Sequence, residues 1–189
     1  MEKVISENGG PAEQKSMLGE IVETAVFLVV VLVLAFFLHR YVAEQVMVDG
    51  YSMNDTLDDG ERLIVEKVSY WFKDPERFDV VVFEPYEDDD VYYIKRVIGL
   101  PGETVQIVGD DIYIDGEVIE ENYGKEPIEV AGRASEPVTL GADEFFVMGD
   151  NRNNSEDSRG TRVGSVKRSS LKGRAFLRIW PFSKFGGVE

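Results

Sequence analysis

Ser52 and Lys95 are the two residues whose types and surroundings suggest chemistry. Ser52 lies in the stretch Gly50–Met53, where a glycine favours a tight turn that brings the backbone close to a ligand. Lys95 lies in the apolar run 93–97, which has the composition of a strand. A serine hydroxyl needs a base to become a nucleophile, and a desolvated lysine can serve as one. Each residue alone also fits an ordinary role, as a turn serine or as an edge-strand lysine that points to water.

The composition removes the other common catalytic groups. The chain has no cysteine, which excludes disulfides, cysteine nucleophiles and cysteine-based metal sites. The one histidine, His39, precedes every candidate nucleophile, which argues strongly against a Ser-His-Asp triad and a histidine metal site. The net charge of −16 argues against nucleic acid as a partner, because phosphate backbones attract basic surfaces.

The strand around Lys95 predicts its environment. Alternation places Tyr93 and Val97 on the same face as the lysine and puts Ile94 and Arg96 on the other. Apolar neighbours would disfavour the charged ammonium, and they would lower its pKa from about 10.4 toward the 7–8 that suits a general base.

A third polar segment, Gly149–Arg159, follows an apolar Phe-Phe-Val run. A long surface turn is its simplest interpretation. Two arginines among three acidic side chains nevertheless predict an ordered, ion-paired loop: Asp150, Arg152, Glu156, Asp157 and Arg159.

The elements that must position these residues begin with an apolar span. Residues 25–38 carry no charge, and a helix over 21–38 would be roughly 27 Å long, close to the bilayer core. A buried core helix and a cleaved secretory signal are the alternatives. The run lacks the polar positions of a core helix, and Val42–Glu44 is a poor cleavage site. We therefore expect a retained transmembrane helix over residues 20–41.

The flanks of this span give a weak orientation. Lys3 and Lys15 precede it, whereas Arg40 follows it directly, so the positive-inside rule slightly favours a cytoplasmic N-terminus. Residues 1–19 are then a cytoplasmic tail, and residues 42–189 are an extracytoplasmic domain.

The downstream domain shows the pattern of a mainly β fold with antiparallel sheets. The Asp115–Gly116 pair predicts a type I′ hairpin turn. The acidic run 84–90 fits a solvated loop better than a cation site. The predicted strands lie at residues 79–83, 91–98, 112–114, 117–119, 144–148 and 175–180.

Four segments in order resemble the bacterial type I signal peptidases, the serine-lysine proteases of the S26 family. They are residues 48–57 (VDGYSMNDTL), 77–83 (RFDVVVF), 95–103 (KRVIGLPGE) and 149–159 (GDNRNNSEDSR), and Trp180–Pro181 fits the terminal pattern. The resemblance implies a membrane-anchored endopeptidase that removes signal peptides after an Ala-x-Ala-like site. Gly50, two residues before the serine, matches the Gram-positive type.

The resemblance also implies roles for individual residues. Ser52 would be the nucleophile, with its N–H in the oxyanion hole, and Lys95 would be the general base. Ser155 would hydrogen-bond Lys95 and orient it. The loop would be held by Asp150 and by a pair between Asp157 and Arg159. Substrate would contact Val48, Asp49, Gly50, Met53, Leu57, Tyr93 and Ile94.

The implied partners are exported preproteins and the lipid bilayer, with the secretion translocon nearby. No cofactor and no metal are implied. A peptidase dedicated to a narrow set of pilus, spore or surface proteins would show the same motifs. A non-catalytic anchored β-domain is the other alternative.

Two positions depart from the family pattern. Asp55 replaces a usual proline, which is expected to loosen the serine turn. Phe78 replaces a usual glycine, and its side chain would disfavour a positive φ at that position.

Overall fold

The computed structural model describes residues 17–37, 41–86 and 91–188. The chain divides into two compact units, Met1–Leu38 and His39–Glu189. The predicted tail up to residue 16, the span's closing residues 38–40 and the centre of the acidic run, 87–90, lie outside the described residues.

Helix α1 (Met17–Phe37) is 21 residues long and none of its residues is buried. At 1.5 Å per residue it is about 31 Å long, which matches the apolar thickness of a bilayer. Within the described ranges it is the one helix long and apolar enough to cross a membrane. It begins three residues before the predicted span 20–41, and its full exposure argues against the core-helix alternative.

The second unit is mainly β, as predicted. One four-residue helix, α2 (Ser69–Phe72), lies between its second and third strands. The strands are β1 (Ala43–Met47), β2 (Arg62–Glu66), β3 (Val80–Phe83), β4 (Tyr93–Gly99), β5 (Thr104–Val108), β6 (Asp111–Ile114), β7 (Glu117–Val118), β8 (Val138–Thr139), β9 (Glu144–Met148), β10 (Val166–Lys167), β11 (Leu171–Trp180) and β12 (Gly186–Gly187).

These strands form two antiparallel sheets. The larger sheet has the order β1-β2-β11-β3-β4-β9-β10, with β12 paired to β11, and the smaller has the order β7-β6-β5-β8. Strand β4 lies inside the larger sheet, where Val81 of β3 is opposite Lys95 and Met148 of β9 is opposite Arg96. Because Lys95 is only 4% exposed, the alternative of a strand lysine that points to water is wrong.

Burial explains why the central strands form. All four residues of β3 are buried, and so are the last five of β4, from Lys95 to Gly99. The continuous apolar run of β3 is typical of a strand that is covered on both faces, whereas the buried part of β4 also includes the charged Lys95 and Arg96. Strands β5 and β6 instead alternate buried and accessible residues, which is the pattern of a sheet with one solvated face.

The predicted hairpin turn is present between β6 and β7. Asp115 has φ 52° and Gly116 has φ 86°, and a type I′ turn requires positive φ at both central residues. The local dipeptide therefore sets the register Ile114–Glu117 of this hairpin.

Candidate active site

Lys95 is buried inside the larger sheet and contacts Ser52. Its side chain is 4% exposed, and Nζ donates to Ser52 Oγ over 2.6 Å and to the Ile94 carbonyl over 3.1 Å. Burial lowers the pKa of Lys95 to about 8, and nearby carboxylates, led by Asp157, oppose this shift only partly. The amine therefore loses its proton near pH 8, at hydrogen-bonding distance from a hydroxyl.

Ser52 lies in a turn that is anchored on both sides. Gly50 has φ 106°, a conformation that favours glycine, and its N–H donates to Asp59 Oδ1 over 2.8 Å. After the serine, Met53 and Leu57 are buried in the core and joined by a 2.8 Å backbone hydrogen bond. The nucleophile's backbone is thus fixed by a glycine before it and by apolar side chains after it.

The backbone N–H of Ser52 donates to no acceptor within the described residues. A free N–H on the nucleophile itself is suited to an oxyanion, which would develop about 3 Å away during attack on a carbonyl. Gly50 has no side chain with which to supply a second donor.

A far part of the chain also holds the serine turn. Arg178 of β11 donates from Nη2 to the Thr56 carbonyl over 2.6 Å and forms a 3.0 Å ion pair with buried Glu61. These contacts connect the turn to a central strand, and no local sequence pattern indicated them.

The Gly149–Arg159 loop packs directly against this turn. Asn151 donates from its backbone N to the Ser52 carbonyl and from Nδ2 to the Tyr51 carbonyl, both over 3.0 Å. A Cβ at Gly149 would overlap the Ser52 carbonyl oxygen. Asn151 was not among the predicted site residues, although its amide in a loop of polar residues could have indicated such a contact.

Asp150 acts on the site through Arg96, the neighbour of Lys95. Both side chains are 0% exposed, and Arg96 donates to the two carboxylate oxygens over 2.9 and 2.8 Å. Thr56 donates to Asp150 over 2.6 Å, and the guanidinium lies 3.5 Å from the ring centroid of Tyr123. This network holds β4, the loop and the serine turn together, and the sequence did not indicate that Arg96 forms part of it.

Asp157 and Arg159 form the predicted pair. Arg159 donates from Nε and Nη2 to the two carboxylate oxygens over 2.9 and 2.8 Å, and both residues are buried. Asp157 also accepts from the Gly149 N–H over 3.0 Å. The pair therefore fixes the glycine that contacts the nucleophile's carbonyl.

The signal peptidase, peptidase S26, family model matches residues 21–180. The chain belongs to this family. It is 44% identical over 161 residues to a signal peptidase I of Leptolyngbya laminosa, and the aligned region covers 82% of this chain and 77% of the relative. It is 40% identical over 164 residues to a probable signal peptidase I-2 of Synechocystis, and this alignment covers 84% of this chain and 73% of the relative. A comparison with the crystal structure of a signal peptidase I from Enterococcus faecalis gives 35% sequence identity and a TM-score of 0.43. The superposed region covers 54% of this chain and 97% of the crystallised chain.

One contact expected of a signal peptidase is not formed. Ser155 Oγ is buried and has no hydrogen-bond partner within the described residues, and Lys95 Nζ donates to Ser52 and to the Ile94 carbonyl. A Cβ at Gly149 would overlap Ser155 Oγ, so the hydroxyl does lie beside the serine turn. An orienting role for Ser155 stays a prediction.

The residues expected to bind the signal peptide fall into two groups. Tyr93 lies on the Lys95 face, with its ring centroid 5.2 Å from Nζ, whereas Asp49 and Gly50 are at least partly accessible beside the nucleophile. The other four form one apolar cluster that contains the residue after the nucleophile: Val48, Met53, Leu57 and Ile94.

The two departures from the signal peptidase pattern have different structural outcomes. Asp55 forms an exposed 2.9 Å ion pair with Lys125. Phe78 keeps a left-handed backbone with φ 73°, against the preference of a non-glycine residue. Its carbonyl accepts from Arg96 over 2.9 Å, and its ring packs 5.2 Å from Tyr123. These contacts hold Phe78 in a conformation that glycine would adopt more easily.

Proposed function

We propose that this family member is a membrane-anchored serine endopeptidase that removes N-terminal signal peptides from exported preproteins. Ser52 is the nucleophile and Lys95 is the general base. The observation that carries the proposal is the 2.6 Å contact between Lys95 Nζ and Ser52 Oγ, made by a lysine whose pKa burial lowers to about 8. Membership of the signal peptidase family supports the substrate class.

Acylation follows from this geometry. Neutral Lys95 takes the proton of Ser52, and Oγ attacks the scissile carbonyl carbon to form a tetrahedral oxyanion, which the Ser52 N–H stabilises. The Lys95 ammonium then returns the proton to the leaving amine, which is the new N-terminus of the mature protein. The signal peptide remains joined to Ser52 as an ester.

Hydrolysis of the ester uses the same base. Lys95, neutral again, takes a proton from a water molecule whose oxygen attacks the ester carbonyl. Collapse of the second tetrahedral intermediate breaks the bond to Oγ, and Lys95 gives the proton to the serine. The signal peptide leaves with a new carboxyl group, which gives its proton to solvent, and the dyad returns to its starting protonation.

An accessible strand edge supports binding of an extended substrate. In the part of β4 before Arg96, the strand partner is β3, and β9 pairs only from Arg96 onward. A substrate strand would therefore add beside residues 91–94 and 48–49, where backbone hydrogen bonds give affinity. Partly accessible Ile94, backed by the buried apolar cluster around Met53, would contact the small side chains of an Ala-x-Ala site.

Helix α1 would anchor this enzyme in the membrane. Its length and full exposure suit a lipid environment. In the proposed topology, residues 1–19 are cytoplasmic, residues 20–41 span the bilayer and residues 42–189 are extracytoplasmic, near the translocon. Such an anchor would confine the active site to the surface at which preproteins emerge, which raises the effective concentration of substrate.

Cleavage of a preprotein by the full chain in lipid vesicles tests the function. Ser52→Ala and Lys95→Met should each lower kcat/KM at least about 1,000-fold, because either change removes one member of the nucleophile–base pair. The matched controls Ser169→Ala and Lys167→Met change exposed residues and should cleave as the wild type does. Undiminished cleavage by either dyad variant would contradict the assignment, and a panel of preproteins would separate a general from a dedicated peptidase.

A further inference from the structure

A carboxylate contacts two tyrosines next to the Lys95 face of β4, where Tyr93 lies. Glu156 accepts from Tyr93 OH over 2.7 Å and from Tyr86 OH over 3.4 Å. The two rings lie 6.2 Å apart at 77° to each other. We call Glu156, Tyr86 and Tyr93 the acidic-aromatic cradle. A carboxylate beside tyrosine faces is a favourable environment for an organic cation.

The protein's own Arg162 already lies in this cradle. Its Nη1 is 3.2 Å from Glu156 Oε1, and its guanidinium carbon is 4.8 Å from the ring centroid of Tyr86. The arginine side chain is 68% exposed and that of Glu156 is 39% exposed. An ion pair as exposed as this one is weak, so a competing cation can displace Arg162.

The cradle lies within reach of the cleaved bond. Tyr93 is two residues from Lys95 on the same face of β4, and its ring centroid is 5.2 Å from Lys95 Nζ. Two residues of a strand span about 7 Å. In a substrate strand beside β4, a side chain within four residues of the scissile bond would therefore reach the cradle.

The loop's own structure does not need Glu156. Other charged residues of the loop form the buried ion pairs that hold it: Asp150 pairs with Arg96, and Asp157 pairs with Arg159. Glu156 instead points its carboxylate outward to two tyrosines and an exposed arginine. Its contacts are therefore those of a recognition group on a rigid support.

We propose that the acidic-aromatic cradle is a substrate subsite for a lysine or arginine side chain within four residues of the scissile bond, and that Arg162 occupies it in the free enzyme. The inference rests on the proposed function, because the cation belongs to the preprotein. It assigns Glu156 as a specificity-determining residue.

Peptide binding to the uncleaving Ser52→Ala variant of the full chain in detergent tests the cradle apart from catalysis. The probes are Ala-x-Ala peptides that carry either arginine or glutamine at each of the four positions on either side of the bond. At one or two of these positions the arginine peptide should bind about fivefold more tightly, as an exposed ion pair plus a cation–π contact allows. Equal affinities at all eight positions would overturn the proposal.

Second changes made in the Ser52→Ala background assign the preference to the cradle. Glu156→Gln should abolish it, and Arg162→Ala should increase it because the competing cation is gone. Glu136→Gln removes an exposed carboxylate elsewhere and should leave it unchanged. A preference that survives Glu156→Gln would refute the subsite, while cleavage of the glutamine peptides by the enzyme with Ser52 intact would still support the peptidase function.

Discussion

Replacing Lys95 by methionine should stabilise the protein while it removes activity. Burial lowers the pKa of Lys95 from 10.5 to about 8, so the folded state bears a cost of about 3 kcal/mol for the charged ammonium. Methionine keeps the length of the side chain without the charge. It loses the hydrogen bonds to Ser52 and Ile94, worth about 1 kcal/mol net, which leaves a gain of about 2 kcal/mol at pH 7.

The pH dependence of this gain follows from the direction of the shift. Between pH 8 and 10.5 the unfolded chain holds a proton on Lys95 that the folded protein has lost, so the stability of the wild type rises with pH in this window. The advantage of the Lys95→Met variant is therefore fully present below pH 8. It decreases as pH rises toward 10.5, where the lysine is neutral in both states.

Urea unfolding of the full chain in detergent, followed by tryptophan fluorescence, measures the difference. At pH 7 the variant should gain about 2 kcal/mol, or about 4–8 °C in Tm for a protein of this size. Lys167→Met, on an exposed lysine, should change stability by less than about 0.5 kcal/mol. A Lys95→Met variant that is less stable than the wild type at pH 7, or a difference that is constant from pH 7 to 10, would refute the reasoning.

Three further substitutions test the support of the site. Gly149→Ala should lower kcat about 100-fold with a small effect on KM, because its Cβ would displace the Ser52 carbonyl; wild-type kinetics would contradict the packing. Asp157→Asn should lower the free energy of unfolding by about 3–5 kcal/mol, since it leaves a buried arginine without its counter-charge; a loss below 1 kcal/mol in urea unfolding would contradict this. Gly50→Ala should cost about 1–2 kcal/mol from its positive φ, and an unchanged urea midpoint would contradict that strain.

Local patterns made much of the fold predictable. The hairpin at Asp115–Gly116 follows from one dipeptide, and the apolar run of β3 follows from four consecutive apolar residues. The sequence pattern does not predict strand β1, because it lies at the sheet edge and carries polar residues at Glu44 and Gln45. Strand β5 is also absent from the predicted strands, although polar and apolar residues alternate in Thr104–Val108 as its burial does.

The chemistry of the site was visible in short motifs, but the contacts that hold the site were not. Ser52 and Lys95 each lie in a short sequence motif that can be recognised by itself. The pairing of Arg96 with Asp150 joins residues 54 apart, and the bond from Asn151 to the Tyr51 carbonyl joins residues 100 apart. Such contacts depend on how the strands pack together, and a single sequence records no periodicity for them.

The pH dependence of kcat/KM for preprotein cleavage tests the central claim most directly, because it reports the ionisation of the base in the free enzyme. With Lys95 as the base and its pKa at about 8, kcat/KM should rise about tenfold per pH unit below pH 8 and level off above it. A profile that is flat from pH 6 to 10, or one that inflects only above pH 10, would contradict a buried lysine acting on Ser52.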